Sequence, residues 1–283
     1  MKYFFNTLFS KTYWQYVLLS RTGVESVLAF FGGLYLFIEA LDFFKIYSRD
    51  EYASYAFIIF LAISIIGSLI VKRPINSILV QIPNHDIAIE VKIADLFDTC
   101  GAIMISTNTK FEADVAGGKI APSSLQGQFT ARYFPGNQTE LIQKISNGLA
   151  LINGSAPYPM GTTIPIMTHG KTFYFTAMAN LNEQGNAYTT IDDVKNSLDG
   201  LWKHVREAGE LDVLAIPVIG TGRGRLKQSR KKIISVIAES FVKSSEQRRF
   251  TDKLIIVIRP EDATNFNVNL YDIKDCLRQI LNS

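Results

Sequence analysis

A strongly apolar run of eighteen residues, Ser54 to Val71, carries no charge and reads SYAFIIFLAISIIGSLIV. At a rise of 1.5 Å per residue, a helix of this length nearly crosses a hydrocarbon core of roughly 30 Å. A surface helix of a soluble protein has a polar side chain every three or four positions, and this run has no such face. We therefore predict a transmembrane helix over about residues 53–71; the alternative is a buried core helix.

An earlier apolar run, Val24 to Phe44, is also long enough to span a bilayer, but it carries Glu39 and Asp42 near its end. Only the short polar segment Ile46–Glu51 separates the two runs. The spacing predicts a helical hairpin whose first membrane span covers about residues 24–45.

The carboxylates of Glu39 and Asp42 have two possible roles. They either reach the outer interface and neutralise Lys45 or Arg49, or they line a polar path formed by several chains. One hairpin cannot enclose a pore, so the second role requires an oligomer. The sequence leaves both roles open.

Basic residues predict the orientation of the hairpin. Lys2, Lys11 and Arg21 precede the first span, and Lys72 and Arg73 follow the second. Because cytoplasmic flanks of membrane helices are enriched in Lys and Arg, we expect both termini to lie in the cytoplasm.

The rest of the chain reads as an α/β domain, because strand and helix signals alternate along it. We expect a membrane region over residues 1–73 and a cytoplasmic domain over residues 74–283, folded as a three-layer α/β/α structure with a mixed sheet. The predicted strands are Ile87–Ile93, Ala102–Ser106, Thr163–His169, Thr172–Met178, Val213–Ile219 and Lys253–Ile258, and the predicted helices are Gln138–Leu149, Thr190–Ala208, Gln228–Lys243 and Leu270–Leu281.

The apolar strand Val213–Ile219 runs directly into the glycine-rich turn Gly220–Gly224. Glycines beyond a strand let backbone N–H groups approach an anion, and Thr221 and Arg223 add a hydroxyl donor and a charge. A diphosphate site is one interpretation; a tight turn that needs positive φ is the other. The spacing matches neither the P-loop nor the dinucleotide-binding pattern, which argues against a nucleotide triphosphatase and a dehydrogenase.

Other site chemistries find little support. The three histidines are far apart in sequence. The two cysteines, Cys100 and Cys276, rule out a disulfide-stapled secreted scaffold and show no metal-ligand spacing. We predict no metal, no cofactor and no catalytic residue. The basic cluster over residues 223–232 contains no interleaved aromatic residue, and the net charge is only +3, so we predict no nucleic-acid partner. That cluster is a solvated helix face or a surface for anionic lipid headgroups.

The α/β part resembles a macro domain, the ADP-ribose-binding module. The corresponding pieces are the early strand end Asp95-Leu96, Asn108 at the next strand end, the glycines Gly117 and Gly118, and the late segment Ile219–Gly224. The resemblance implies that Asp95 accepts from the adenine amino group and that Asn108 approaches the distal ribose. It also implies that Gly220, Thr221, Gly222, Arg223 and Gly224 surround the diphosphate.

Two departures from the macro-domain pattern bear on activity. Active members carry two asparagines around the second strand's end, and the first of these positions is Ile105 here. The usual glycine triplet is reduced to Gly117-Gly118 after Ala116. We therefore expect a binding protein; the alternative is a membrane-tethered ADP-ribosyl hydrolase, which turnover of an ADP-ribosylated substrate would reveal.

The stretch Ile120–Phe129, preceded by two apolar runs, is similar to the macro-domain ThsA effectors of Thoeris anti-phage systems. That resemblance implies a bacterial inner-membrane effector that binds an ADP-ribose-derived messenger made by a partner TIR-domain enzyme. Binding would lead to oligomerisation, membrane disruption and cell death or growth arrest. Residues Ser124, Gln126, Gly127 and Gln128 would contact the non-adenine end of the ligand, or else form the N-capped start of a helix over Leu125–Tyr133.

Overall fold

The computed structural model describes residues 5, 7–46, 53–83, 85–209, 211–220 and 226–281. Its contacts divide the chain into two compact units. One unit comprises Met1–Ile75 and Ala263–Asp272, and the other comprises Asn76–Asp262 and Ile273–Ser283. The domains predicted over residues 1–73 and 74–283 stay predictions.

In the described part of the first unit, the N-terminal helices with defined bounds are α1 (Lys11–Leu19), α2 (Arg21–Phe43) and α3 (Ala53–Val71). Helix α2 is long and apolar enough to cross a membrane, and its apolar stretch is not buried against the rest of the protein. The apolar stretch of α3, Tyr55–Val71, is shorter than that of α2. Among the described residues, only α2 meets the length and composition of a membrane span, so the two-span hairpin stays a prediction.

Helix α2 begins and ends slightly earlier than the predicted span over residues 24–45. Ser20 caps its start by accepting a hydrogen bond from the Gly23 backbone N–H at 3.0 Å. The helix ends at Phe43, and Lys45 adopts a left-handed conformation with φ of 56°, which a continuing helix does not allow. The polar segment predicted after it lies largely outside the described residues.

A segment from near the C-terminus completes the first unit. The Tyr271 hydroxyl donates hydrogen bonds to the carbonyl oxygens of Val71 at 3.3 Å and Arg73 at 2.9 Å. The ring of Tyr271 stacks on Tyr16 with centroids 5.9 Å apart, and the Lys72 ammonium lies 5.0 Å from the Tyr16 centroid. These contacts hold the end of α3 against helix α1 and the residues around Tyr271.

The second unit is built on an eight-stranded mixed sheet. The strand order is β1-β2-β8-β7-β3-β5-β4, with β6 paired to β5. Neighbours from β2 to β5 in this order are parallel, whereas β1, β4 and β6 pair antiparallel with their neighbours. The strands are β1 (Ser77–Gln81), β2 (Ala88–Ile93), β3 (Ala102–Asn108), β4 (Thr163–Thr168), β5 (Lys171–Leu181), β6 (Ala187–Tyr188), β7 (Leu211–Pro217) and β8 (Thr251–Ile258).

Helices cover both faces of this sheet, which confirms the predicted three-layer α/β/α fold. On one face Phe129 and Leu141 pack in a core with Phe173. The next residue on β5, Tyr174, points to the opposite face and contacts His204, as the alternation of side chains along a strand requires. The helices of this part of the chain are α4 (Leu125–Tyr133), α5 (Gln138–Ala150), α6 (Ile191–Ala208), α7 (Arg230–Gln247), α8 (Pro260–Asn265) and α9 (Leu270–Leu281).

Several predicted boundaries were wrong by two to four residues; for example, β5 ends at Leu181 and not at Met178, and α7 ends at Gln247 and not at Lys243. The strand predicted over Val213–Ile219 is β7, Leu211–Pro217, because pairing with β8 stops at Pro217 although Ile219 is still buried. The helix predicted from Gln228 begins at Arg230, after Ser229 accepts a hydrogen bond from the Lys232 N–H. The short elements β1, β6 and α8 were not predicted.

The His204 imidazole on α6 generates a pH prediction. Its ring lies 5.5 Å from the Tyr174 ring, and its buried Nε2 has no hydrogen-bond partner among the described residues. Burial lowers the pKa of His204, and the negative charge of Glu207 opposes this effect only in part. The folded protein therefore holds a neutral imidazole at a pH where the unfolded chain takes up a proton.

We expect the free energy of unfolding to decrease as pH falls below the ordinary histidine pKa of about 6.5, with a slope of at most about 1.4 kcal/mol per pH unit from this group. His204→Leu should remove this slope, measured by urea unfolding between pH 7.5 and 5. The exposed His85 provides the matched control, because His85→Gln should leave it intact. An unchanged slope in His204→Leu would contradict the assignment.

Candidate functional site

A cavity of about 600 Å³ lies at the carboxyl ends of the parallel strands. Parallel strands end together at one edge of a sheet, and the chains that leave them diverge, so a crevice forms there. The volume falls within the usual range for small-molecule sites, roughly 300–1,000 Å³. Its wall consists of Asp95–Phe97, Ser106–Asn108, Lys119–Ala121, Ser123–Gln126, Gln128, Met178, Ala179, Leu181, Gly185–Ala187, Thr189, Pro217–Gly220, Val257, Arg259 and Asp262.

Asp95 lies at the rim of this cavity, with both carboxylate oxygens fixed. Oδ1 accepts a hydrogen bond from the Phe97 N–H at 2.9 Å, and Oδ2 lies 3.0 Å from Nη1 of Arg132. The same guanidinium donates a hydrogen bond to Asp98 at 2.6 Å. This hydrogen bond has the largest effect on the pKa of Arg132 and raises it, and the negative charges of Asp95 and Asp98 raise it further. Each carboxylate oxygen can accept more than one hydrogen bond, so Asp95 keeps capacity for an amine donor. Leu96 is buried beside it.

Asn108 lines the cavity at the end of β3, where the register with β5 shifts between Thr107 and Asn108. Its side-chain Oδ1 accepts hydrogen bonds from the backbone N–H groups of Lys110 at 3.0 Å and Glu112 at 3.2 Å. The side chain is therefore oriented by the loop that follows β3. The amide nitrogen Nδ2 is the atom that can donate to a ligand hydroxyl.

Gly117 and Gly118 lie in an exposed turn and do not line the cavity. The Gly117 N–H donates to Oδ1 of Asp114 at 2.7 Å, and Gln138 donates to the same oxygen at 3.1 Å. Both hydrogen bonds lower the pKa of Asp114, and the bond from Gly117 has the larger effect. Gly118 has φ of 79°, which glycine adopts without a steric penalty. Lys119 follows directly and does line the cavity.

Ser124 forms an N-cap and also borders the cavity. Its hydroxyl oxygen accepts the Gly127 N–H at 3.0 Å and donates to the Ala121 carbonyl at 2.6 Å. The predicted capped helix over Leu125–Tyr133 is therefore present as α4. Ser124 and Gln128 line the cavity, whereas Gly127 does not; a Cβ there would collide with the backbone of Ala121.

Gln126 is a buried cavity residue, only 3% exposed, that joins two parts of the wall. Its Oε1 accepts a hydrogen bond from the Thr107 hydroxyl at 3.1 Å, and its Nε2 donates to the Glu112 carbonyl at 2.6 Å. The side chain thus ties helix α4 to the end of β3 and to the loop that follows β3. This arrangement gives Gln126 a structural role in the wall of the cavity.

The turn after β7 brings backbone to the cavity. Gly220 has φ of 74°, and its carbonyl accepts the Leu226 N–H at 3.0 Å, so the chain returns to the point where the turn began. Ile219 and Gly220 line the cavity. The other predicted ligand residues of this turn, Thr221, Gly222, Arg223 and Gly224, lie outside the described residues.

Two of the wall segments that were not predicted from the sequence contain polar contacts of their own. One is the turn between β5 and β6, where Oδ1 of Asn182 accepts the N–H groups of Gln184 and Asn186 and so shapes the segment. The polar, glycine-containing run over residues 182–186 between two strands was the available signal. The other is the ion pair of Arg259 and Asp262 at 3.1 Å, just after β8.

Two observations concern catalysis and metals. Ile105 is completely buried in the core that contains Phe129 and Phe173, and it is not part of the cavity wall. Within the described residues, no group of three or more His, Cys, Asp or Glu side chains could hold a metal ion.

Comparison with known proteins identifies the fold and the family. The family model described as "Thoeris protein ThsA, Macro domain" matches residues 89–259. The chain is similar to the Oceanobacillus iheyensis macrodomain with MES bound, at 14% identity and a TM-score of 0.51 over 73% of this chain and 97% of that one. The same macrodomain with ADP gives 13% identity and a TM-score of 0.50, covering 70% and 97% of the two chains. No match was found among curated proteins.

The bridging role of Gln126 predicts a loss of stability on substitution. Gln126→Met keeps the length of the side chain but leaves the buried Thr107 hydroxyl and Glu112 carbonyl without these partners, which should cost about 1–3 kcal/mol in free energy of unfolding. Gln143→Met, on the exposed face of α5, should change the free energy by less than about 0.5 kcal/mol. Equal effects of the two substitutions in urea unfolding would contradict the role of Gln126.

Proposed function

This chain belongs to the family of the Thoeris ThsA macro domain, and we propose that its cavity binds a nucleotide containing ADP-ribose. The observation that carries the proposal is the position of the cavity: it opens at the carboxyl ends of the parallel strands between Asp95 and the turn at Gly220. The Oceanobacillus iheyensis macrodomain, which shares this fold, is described with ADP, and a mutant of it is described with ADPR.

The chemistry of the wall suits the successive parts of such a ligand. The Asp95 carboxylate, oriented by Phe97 and Arg132, is a suitable acceptor for the exocyclic amine of adenine. Backbone N–H groups from Gly220 to Gly224 would bind the diphosphate, with Thr221 and Arg223 adding a hydroxyl and a charge.

The distal end of the ligand would lie near the loop that follows β3. The Asn108 amide nitrogen would donate to a ribose hydroxyl. Ser124 and Gln128 would border whatever group the messenger carries beyond that ribose, with Gln126 fixing the wall behind them. Gly117, Gly118 and Gly127, which are outside this wall, would act by shaping the loops, since Gly117 binds Asp114 and Gly127 allows the backbone at Ala121 to approach.

We propose an effector role and not an enzymatic one. The position where active members carry the first asparagine is Ile105, an apolar side chain enclosed in the core. The name of the matching family supports a role in Thoeris anti-phage defence. The messenger would come from a partner TIR-domain enzyme of that system. Nucleotide binding would favour an assembled state. The size of this effect equals the difference in the free energy of nucleotide binding between the assembled and the resting state.

The output of the assembled state would be disruption of the bacterial inner membrane, leading to cell death or growth arrest. The membrane region would be α2 together with α3, whose 19 residues extend over about 28 Å, close to the thickness of a hydrocarbon core. Basic residues on the outer flanks of the two helices, among them Lys11, Lys72 and Arg73, favour a multi-pass topology with both termini in the cytoplasm.

Titration calorimetry on the full chain in detergent tests the binding proposal. We expect ADP-ribose to bind about tenfold more tightly than its hypoxanthine analogue, because the analogue replaces the exocyclic amine by an oxygen that the Asp95 carboxylate repels. In Asp95→Asn the side-chain amide can donate to that oxygen, so the preference should disappear or reverse.

The matched control is Asp98→Asn, because Asp98 binds the same Arg132 but does not line the cavity. This variant should keep the preference of the wild type. The absence of binding heat with ADP-ribose, or an undiminished preference in Asp95→Asn, would contradict the proposal.

A further inference from the structure

Among the described residues, the first strand of the sheet is paired along one side of its backbone only. β1 pairs with β2 and with no other strand in the part of the chain that the structure describes. The Ile82 N–H donates to the Ile87 carbonyl at 2.9 Å, and the Ile93 N–H donates to the Asn76 carbonyl at 2.8 Å. Hydrogen-bonded positions alternate along an antiparallel pair, so Ile78 and Val80 also bond to β2.

It follows that the backbone N–H and C=O groups of Ser77, Leu79 and Gln81 point away from the sheet. The side chains of these residues are exposed, and the Leu79 side chain is 50% exposed. The strand reads SILVQ and contains neither a charge nor a proline. Charges and prolines are the usual means by which proteins protect such an edge.

The opposite edge of the same sheet is protected. Just before β4, the Thr162 carbonyl accepts the Ala177 N–H at 2.9 Å, so the outward-facing positions of β4 are Thr163, Pro165 and Met167. Pro165, at the centre of these positions, is exposed and has no N–H to offer another strand. The sheet therefore presents one blocked edge and one edge that is open to pairing.

We propose that β1 pairs antiparallel with β1 of a second copy of this chain, around a two-fold axis at Leu79. In this register Leu79 lies opposite its own copy, and Ser77 lies opposite Gln81 of that copy. The outward backbone groups would bond to each other, and the exposed Leu79 side chains would meet on one face. A two-fold interface must be self-complementary, and an uncharged strand places no like charges opposite each other.

This surface would serve the assembly step of the proposed function, and its biological role rests on that function. Pairing of one short strand buries little area, so the contact would be weak in dilute solution. Copies held in one bilayer meet at a higher effective concentration, which favours such a contact. The pairing would join two sheets into one continuous sheet.

Disulfide trapping in native membranes, with and without ADP-ribose, tests the pairing. Opposed Cα atoms in a hydrogen-bonded antiparallel pair are about 5.5 Å apart, within the span of a disulfide. In a full-length chain with Cys100→Ser and Cys276→Ala, Leu79→Cys should give a covalent homodimer on mild oxidation. Met167→Cys, at an exposed position of the proline-blocked edge, should not.

A charge pair tests the register. Ser77→Lys with Gln81→Lys places lysines opposite each other at both ends of the pairing, and this should abolish the Leu79→Cys dimer. Ser77→Lys with Gln81→Glu places opposite charges there, and this should restore the dimer. Since both variants put a lysine at the same exposed position, a general loss of folding would affect them alike.

Two results would overturn the proposal: no more dimer from Leu79→Cys than from Met167→Cys, or a Leu79→Cys adduct with a different protein. Neither result bears on whether the cavity binds ADP-ribose, which calorimetry measures separately. Failure of the edge pairing and failure of the proposed ligand are thus distinguishable.

Discussion

The parallel pairing of β2, β8, β7, β3 and β5 is the constraint on which the rest of the structure depends. It brings the carboxyl ends of strands that are distant in sequence to one edge, and the cavity forms where the following loops separate. Asp95 follows β2, Asn108 ends β3 and Gly220 follows β7, so residues more than a hundred positions apart share one wall. Helices cover both faces of the sheet, so the cavity forms at the strand ends and not on a face.

Backbone hydrogen bonds orient the polar side chains of the wall. Asp95 accepts from Phe97, Asn108 accepts from the loop that follows it, and Gln126 donates to the Glu112 carbonyl. Each contact restricts a rotamer before any ligand arrives, and a preorganised site loses less entropy on binding. The same contacts make these residues part of the fold, so the variants that separate the two roles must be conservative.

Much of the second unit could be predicted from the sequence because its signals are local. Alternating apolar runs indicated the central strands, and Ser124 indicated the start of α4. The β1 strand was missed because it is short, and only its exposed-buried alternation against β2 identifies it. The end of β7 was placed too late because Ile219 is buried without being paired. The run over residues 182–186 indicates a turn, but it does not indicate that the turn reaches the cavity, because that depends on where β5 and β6 lie in the sheet.

The central claim is that ADP-ribose lies across the strand ends from Asp95 to the turn after Gly220. Hydrogen–deuterium exchange of the full chain, with and without ADP-ribose, tests it most directly, because amides that bind a diphosphate exchange slowly. We expect slower exchange in peptides covering residues 94–98 and 217–226, and unchanged exchange in those covering α5. Protection of α5 with unchanged exchange at both strand ends would contradict it.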